Sequence, residues 1–391
     1  MLTNFSHTSI FDGEYNPYLW PLVAIWGFDR VLRFVRMAYY NIRVKSSRNI
    51  IEVTKAVAIY NAESDVITMD VIPGSFLKPK PGQHFFLYQP FTWKGWENHP
   101  FTLGAWKSTG ESNSRTIDIS GSSDDIITSS KGVEDSNIVR TQQLAMDTNT
   151  SSTELESQAE LHLTFWIRPF DGWTRRIKDK CKSSVDGKSC LKLRLEGPYG
   201  NFYPVHTFEA VLLICGGTGI SAVNPYLQDH IRHLKSTESV RTKSMQLIFS
   251  VKESSFIDQI YTTELKQARD YSDIRMEFFV TAKETPKVTE QNHNASSPVG
   301  SVSVDSLEAK LQFESELNTT SISIQHRRPN IQTSVVEFAA ANNSSGKRRR
   351  AKQIAVVVCG PASMADDARS AVMSAMQQGF RVEYFEESFG W

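Results

Sequence analysis

Residues 210–222 read AVLLICGGTGISA: six apolar residues, a glycine-rich turn, then the start of a helical pattern. An unbroken apolar run suits a strand buried on both faces, as in a parallel sheet covered by helices. The turn carries G-x-G-x-x-A at Gly217, Gly219 and Ala222, flanked by Gly216, Thr218 and Ile220. Glycines there allow a tight turn and a close backbone approach to a pyrophosphate seated on a helix N-terminus. The competing reading is a glycine turn that serves chain geometry alone.

Working outward, similar runs recur at 245–251 (MQLIFSV), 276–281 (MEFFVT) and 354–359 (IAVVVC), with helical periodicity across 223–234 and 364–377. Strand–turn–helix repetition of this kind predicts a doubly wound parallel sheet over residues 206–391. Upstream the rhythm differs. Runs at 51–60, 66–72, 82–88, 161–168 and 191–196 are short, β-branched or alternating, and bounded by turns such as Pro73-Gly74. They predict an antiparallel β barrel over residues 46–205, so the fold class is a barrel followed by an α/β domain.

Two stretches interrupt this plan. Residues 107–158 contain 19 Ser or Thr, and residues 285–323 and 340–350 are similarly polar, the latter ending in Lys347-Arg348-Arg349-Arg350; they read as loop insertions, the second bounded at 285–350. Residues 1–45 read as a membrane-proximal helix and linker. The apolar run 17–28 (PYLWPLVAIWGF) is followed by Asp29, Arg30, Arg33 and Arg36. Twelve apolar residues are too few to span a bilayer alone, and the pattern fits a membrane-associated helix with arginine heads at lipid phosphates. An amphipathic helix docked on the barrel is the alternative.

The 391 residues carry 43 Lys+Arg against 43 Asp+Glu, which argues against a nucleic-acid binder held by a general basic surface. Four scattered cysteines exclude a disulfide scaffold, and without a CxxC pair no structural zinc site is expected. His230 and His233, three apart with no third ligand, read as surface residues. No histidine pair lies in a long apolar helix, so no haem site is expected within this chain.

Further motifs surround the glycine turn: His99-Pro100-Phe101-Thr102, Gly172-Trp173-Thr174 after Arg168, Gly197-Pro198-Tyr199-Gly200, Cys359-Gly360-Pro361, and the ending EESFGW with Phe389 and Trp391. With these in order, the sequence resembles the ferredoxin–NADP reductase superfamily. Within it, the sequence resembles the cytosolic half of fungal-type ferric/cupric-chelate reductases, relatives of the NADPH oxidases. The resemblance covers roughly residues 17–106, 160–282 and 325–391.

The resemblance implies FAD on the barrel. His99 to Thr102 would lie along the isoalloxazine, Thr102 bonding the ring and Phe101 packing near it. Gly172, Trp173 and Thr174 would take the flavin phosphates, with Arg168 supplying charge there or forming a surface salt bridge. Gly197–Gly200 and Gly216–Ile220 would serve the pyridine nucleotide, and Cys359, Gly360 and Pro361 the nicotinamide. Lys252, after the second apolar strand and near Ser250, favours NADPH through its 2′-phosphate, although Glu253 is adjacent. Cys359 and Trp391 are the catalytic candidates. Trp391 would stack on the flavin face and Cys359 would flank the nicotinamide; the bland alternative makes both packing residues.

The implied function is electron transfer from NADPH through FAD toward haem and Fe(III) or Cu(II) chelates. Haem is expected only in full-length relatives, whose haem-bearing membrane helices precede this region. Implied partners are membrane lipid at the N-terminus, a haem-bearing membrane reductase and metal chelates. The implied location is the plasma membrane, with the catalytic domains facing the cytosol. Transfer to oxygen, as in NADPH oxidases, and a non-catalytic, truncated regulatory remnant are the alternatives.

Overall fold

In the computed structural model, residues 16–45, 50–75, 77–89, 97–108, 160–236, 240–282, 324–343 and 352–387 are described. Helix α1 (Asn16–Asn41) covers the expected N-terminal helix. Strands β1 (Ile42–Lys45) and β2 (Ile50–Val53) pair antiparallel behind it. The run 51–60, expected as one strand, breaks at Thr54 and resumes as β3 (Lys55–Asn61). Asn41 accounts for the break. Its carbonyl accepts from the Thr54 N–H at 3.2 Å and its Oδ1 from Thr54 Oγ1 at 2.8 Å, which draws Thr54 out of the ladder.

The barrel continues through β4 (Val66–Ile72), β5 (His84–Tyr88), β6 (Asn98–Thr102), β7 (Ala105–Ser108) and β8 (Leu161–Ile167). Helix α2 (Trp173–Ser183), β9 (Lys188–Leu191) and β10 (Arg194–Tyr199) complete it. A five-stranded sheet runs β7-β8-β4-β3-β9 and a three-stranded one β10-β5-β6. The pairs β3–β4, β4–β8, β3–β9, β5–β10 and β5–β6 are all antiparallel. One core fills the space between the sheets, with Met69, Phe85, Leu87 and Phe165 against Trp173 and Ile177 of α2.

The second half follows as β11 (Ala210–Gly216), α3 (Ile220–Lys235), β12 (Ser244–Val251), α4 (Ser254–Thr263), β13 (Ile274–Val280) and β14 (Ile324–Gln325). Helix α5 (Ile331–Asn343), β15 (Gln353–Cys359), α6 (Ala362–Gln377) and β16 (Arg381–Glu386) close it. The order β14-β13-β12-β11-β15-β16 is parallel throughout. Alternate residues of β11 feed opposite layers, as a period of two requires. Val211, Leu213 and Cys215 meet α3 and α4, while Ala210, Leu212 and Ile214 meet α5 and α6. The expected barrel-plus-α/β architecture is therefore what the chain adopts.

One boundary needs correcting. The polar insertion expected over 285–350 does not reach that far: β14 joins the sheet edge, and Ile331, Val335, Phe338 and Ala339 of α5 are buried. These apolar residues recur at spacings of three and four within a polar setting, which hides them from a composition reading. The insertion at 107–158, apart from Lys107 and Ser108, and Lys347–Arg350 lie outside the described residues.

A buried carboxylate ties α1 to the barrel. The Glu196 side chain, 1 % exposed, accepts from Arg33 Nε at 3.1 Å and from the Tyr199 hydroxyl at 2.6 Å. The Tyr88 hydroxyl donates to its other oxygen. Burial pushes this carboxyl up, but the bonds from Tyr199 and Tyr88 and the Arg33 charge prevail and hold it below the usual range. Arg36 adds a bond from Nη2 to the Pro198 carbonyl at 3.1 Å and lies 4.7 Å over the Tyr199 ring. Replacing Glu196 by Ala strands two hydroxyls and a guanidinium, so the urea midpoint should fall by the equivalent of about 2 kcal/mol. An unchanged midpoint would show that the network contributes nothing to stability.

Candidate functional site

The order of the parallel sheet reverses between β11 and β15, and ligands of such sheets bind outside the carboxyl ends at that reversal. The turn Gly216–Gly219 leaves β11 there, and Gly360-Pro361 leaves β15 beside it. The structure thus brings these two sequence motifs together. A β-carbon at Gly219 would stand 2.3 Å from the Cys359 carbonyl oxygen, and one at Gly216 2.8 Å from Pro361 Cδ. Gly217 differs: its φ is +56° and nothing lies within 4 Å of where a β-carbon would be. Gly219 serves close packing of two loops, whereas Gly217 leaves open space.

Gly219 offers no side-chain cap to α3; the Ile220 N–H bonds carbonyls of the glycine turn itself, and no side chain caps the start of the helix. With the helix dipole, the N–H groups of that first turn form an anion-binding feature. Gly217 and Thr218 line a cavity of about 190 Å³ together with Val251, Lys252 and Glu253 at the end of β12. Its other wall comes from the barrel: Glu63, Ser64 and Asp65 of the β3–β4 turn, and Arg168 after β8. Arg168 thereby takes its place opposite the glycine turn and Lys252, and Gly172 is not among the lining residues. Ser250 is buried within β12, level with Gly216 of β11.

Cys359 is 1 % exposed and sits in the apolar layer beside its register partner Cys215. Burial raises its thiol well above the ordinary range, so it is a neutral thiol at physiological pH. Sequence reasoning missed its neighbour Glu387. The Glu387 N–H bonds the Val358 carbonyl at 2.9 Å, and burial pushes its carboxyl up to about 7. Adjacent Glu386 shows the contrast: the Tyr384 hydroxyl at 2.8 Å and Arg369 at 2.6 Å hold it below the usual range. The signal was the doubled glutamate of the C-terminal motif, but sequence cannot say which of the two is given a cation. Phe389 and Trp391 lie outside the described residues.

On the barrel, β6 is an edge strand, and none of its residues is fully buried, although Pro100 and Phe101 are apolar. His99 stacks on Trp173 with ring centroids 5.5 Å apart, and Phe101 tilts against the same indole at 5.7 Å. Trp173 itself is buried, its N–H donating to Gln89 Oε1 at 2.9 Å. Gly172 precedes α2 with φ +69° and open space at its missing β-carbon. Sequence motifs far apart therefore converge: an open strand face next to an uncapped helix N-terminus. Two expectations need amending. Thr174 was expected to offer its hydroxyl to a phosphate, but that oxygen accepts from the Phe170 N–H at 2.9 Å and closes its own turn. Gly197–Gly200 does not line the cavity with Gly217; Tyr199 pairs with His84 of β5, and a β-carbon at Gly200 would meet the Gly82 carbonyl at 2.2 Å.

His230 also corrects its reading as a surface residue. It is 3 % exposed and its Nε2 lies 2.9 Å from Asp273 Oδ2, because α3 turns that face onto the loop before β13. His233 is partly exposed and stacks on His206 at 5.8 Å. Among the described residues no group of His, Cys, Asp and Glu could hold a metal ion.

Comparison with known proteins falls on this region. Residues 208–373 match the family described as the ferric reductase NAD binding domain. The match spans the glycine turn, the strands β11 to β15 and most of α6. The similarity runs through the barrel as well. The chain is 23% identical over 384 residues to the yeast Saccharomyces cerevisiae "Ferric reductase transmembrane component 3", covering 96% of this chain and 43% of that protein. To component 6 of the same yeast it is 30% identical over 230 residues, 58% of this chain and 29% of the relative. The chain therefore spans less than half the length of these relatives. Solved structures of similar shape include a Malassezia yamatoensis flavohemoglobin, with 13% identity and TM-score 0.43 over 86% of this chain and 61% of that one. A Neisseria gonorrhoeae ferredoxin NADP+ reductase gives 12% identity and TM-score 0.41 over 85% and 98%.

Two outcomes follow from the site. Gly219→Ala forces a backbone clash and should destabilise the chain by about 2–3 kcal/mol, whereas Gly217→Ala meets open space and costs about 1 kcal/mol through its positive φ; urea midpoints of the two variants check the order. Glu387 has a folded pKa of about 7 against an ordinary value of 4.5, so the stability it confers is complete below pH 4.5 and is lost as pH rises through about 7. Glu387→Gln should therefore raise the melting temperature relative to the parent at pH 8 and not at pH 4.5. A pH-independent difference would mean that the carboxyl is not buried as described.

Proposed function

We propose that this chain is the flavin- and NADPH-binding part of a membrane ferric-chelate reductase, carrying electrons from NADPH through FAD toward haem and Fe(III) or Cu(II) chelates. One observation carries the reading: the glycine turn and the Cys359-Gly360-Pro361 turn meet at the sheet reversal of a ferric reductase NAD-binding domain. The nucleotide fits the residues present. Gly217 leaves open space, the start of α3 offers N–H groups, and Lys252 and Arg168 supply cations that suit phosphate. FAD fits the barrel in the same sense, with a face along His99–Thr102 for a flat ring and an open cradle at Gly172 for its phosphates. FAD, when bound, accepts a hydride and releases electrons singly.

The chain's own part is positioning. Close packing of Gly216 and Gly219 on Pro361 and Cys359 fixes the floor on which a nicotinamide rests. Cys359, held neutral, contributes shape rather than a charge, and Glu387 stands beside it as a carboxyl poised between its two forms near neutral pH. Trp391 stacking on the flavin face remains part of this proposal.

Yeast relatives are named as transmembrane components, and α1 exposes Trp20, Leu22, Ile25, Trp26 and Phe28; Arg33 and Arg36, expected at lipid phosphates, are instead taken up by Glu196, the Pro198 carbonyl and the Tyr199 ring of the barrel. Among the described residues no helix is long and apolar enough to cross a membrane. We place α1 at the lipid surface, next to a haem-bearing membrane segment, with the rest of the chain on the cytosolic side of the plasma membrane.

The test is to load the purified chain with FAD and add NADPH and an Fe(III) chelate without oxygen. Flavin that survives gel filtration, with NADPH-dependent formation of Fe(II), is the expected result. Loss of flavin on the column would point to the non-catalytic remnant, and turnover that requires oxygen would point to an oxidase.

A further inference from the structure

The cavity that Gly217 faces is built from both halves of the chain. At about 190 Å³ it is small beside the roughly 300–1,000 Å³ of sites that enclose whole ligands, so it suits one end of a dinucleotide. Its lining is mixed in a particular way. Val66, Val251 and Phe256 give an apolar wall, Glu63 and Glu253 give acceptors, and Arg168 and Lys252 give cations. Asp65 is already occupied: Lys178 Nζ lies 2.7 Å from its Oδ1 and the Tyr60 hydroxyl donates at 2.8 Å, which holds its carboxyl below the usual range. Arg168 and Lys252 make no ion pair among the described residues. Ser64 is 9 % exposed, and its buried Oγ has no hydrogen-bond partner among the described residues.

An apolar wall accommodates a base, carboxylates accept from ribose hydroxyls and from an exocyclic amine, and cations with a hydroxyl donor suit a phosphate. All three together describe an adenosine that carries a phosphate on its ribose. We infer that Arg168 and Ser64 of the barrel hold the 2′-phosphate of NADPH jointly with Lys252 of the parallel sheet. This rests on the reading that the chain binds NADPH. It transfers Arg168 from the flavin phosphates to the nucleotide, and it makes discrimination between NADPH and NADH a property of both halves. The dinucleotide then ties the barrel's β3–β4 turn to the end of β12.

The experiment is calorimetric titration of the FAD-loaded full chain with 2′,5′-ADP and with 5′-AMP, which differ only in the 2′-phosphate. The parent should bind 2′,5′-ADP more tightly. Arg168→Gln should weaken 2′,5′-ADP about tenfold, equivalent to about 1.4 kcal/mol, and leave 5′-AMP unchanged. Arg168→Lys should keep most of the preference, since it keeps the charge, and Ser64→Ala should weaken 2′,5′-ADP alone by a smaller factor. Equal weakening of both nucleotides by Arg168→Gln, no weakening of either, or loss of bound FAD with nucleotide binding intact would each overturn the inference. A parent chain that binds neither nucleotide would instead overturn the NADPH reading beneath it.

Discussion

A β-carbon at Gly219 would stand 2.3 Å from the Cys359 carbonyl oxygen, and much of the molecule is arranged around that closeness. The turn after β11 can lie against the turn after β15 only if its residues there have no side chains. The strands beneath must also be neighbours in exact register, as Cys215 and Cys359 are. That adjacency in turn requires the chain to build outward through β12, β13 and β14 and then return past β11. The contact at the sheet reversal, beside the start of α3 and the cavity at Gly217, leaves no room for a single methyl group.

Two glutamates show how the same fold treats buried charge. Glu196 receives two tyrosine hydroxyls and Arg33, remains a carboxylate, and fastens α1 to β10. Glu387 meets no cation among the described residues, and burial drives it toward its neutral form beside Cys359. A carboxylate with partners works as a fastener, and a carboxyl without them gives its surroundings a proton that can be gained or lost near neutrality. At the C-terminus the difference lies in what each side chain meets: Arg369 of α6 and the Tyr384 hydroxyl both reach Glu386.

The sequence made the architecture readable because its signals are local and periodic. The short, β-branched apolar run at 210–215 suits a buried strand, and the glycines after it mark where that strand stops. What stayed hidden depends on pairing across long separations. Thr54 looks like mid-strand until Asn41 captures it. His230 looks like a surface residue until α3 presses it against Asp273. Helix α5 is lost in polar surroundings because only its spacing, and not its composition, records the buried face. Arg168 shows the same limit at the site: its position after β8 is plain from the sequence, but the wall it belongs to is set by how the β3–β4 turn meets the end of β12.

The most direct measurement is amide hydrogen exchange of the FAD-loaded chain with and without NADP+. A dinucleotide held at the sheet reversal and bridging both halves predicts slower exchange at residues 216–220 and 251–253, and simultaneously in the 62–65 turn and at Arg168. Protection confined to the parallel-sheet residues would contradict the bridging, and no protection at 216–220 would contradict the account as a whole.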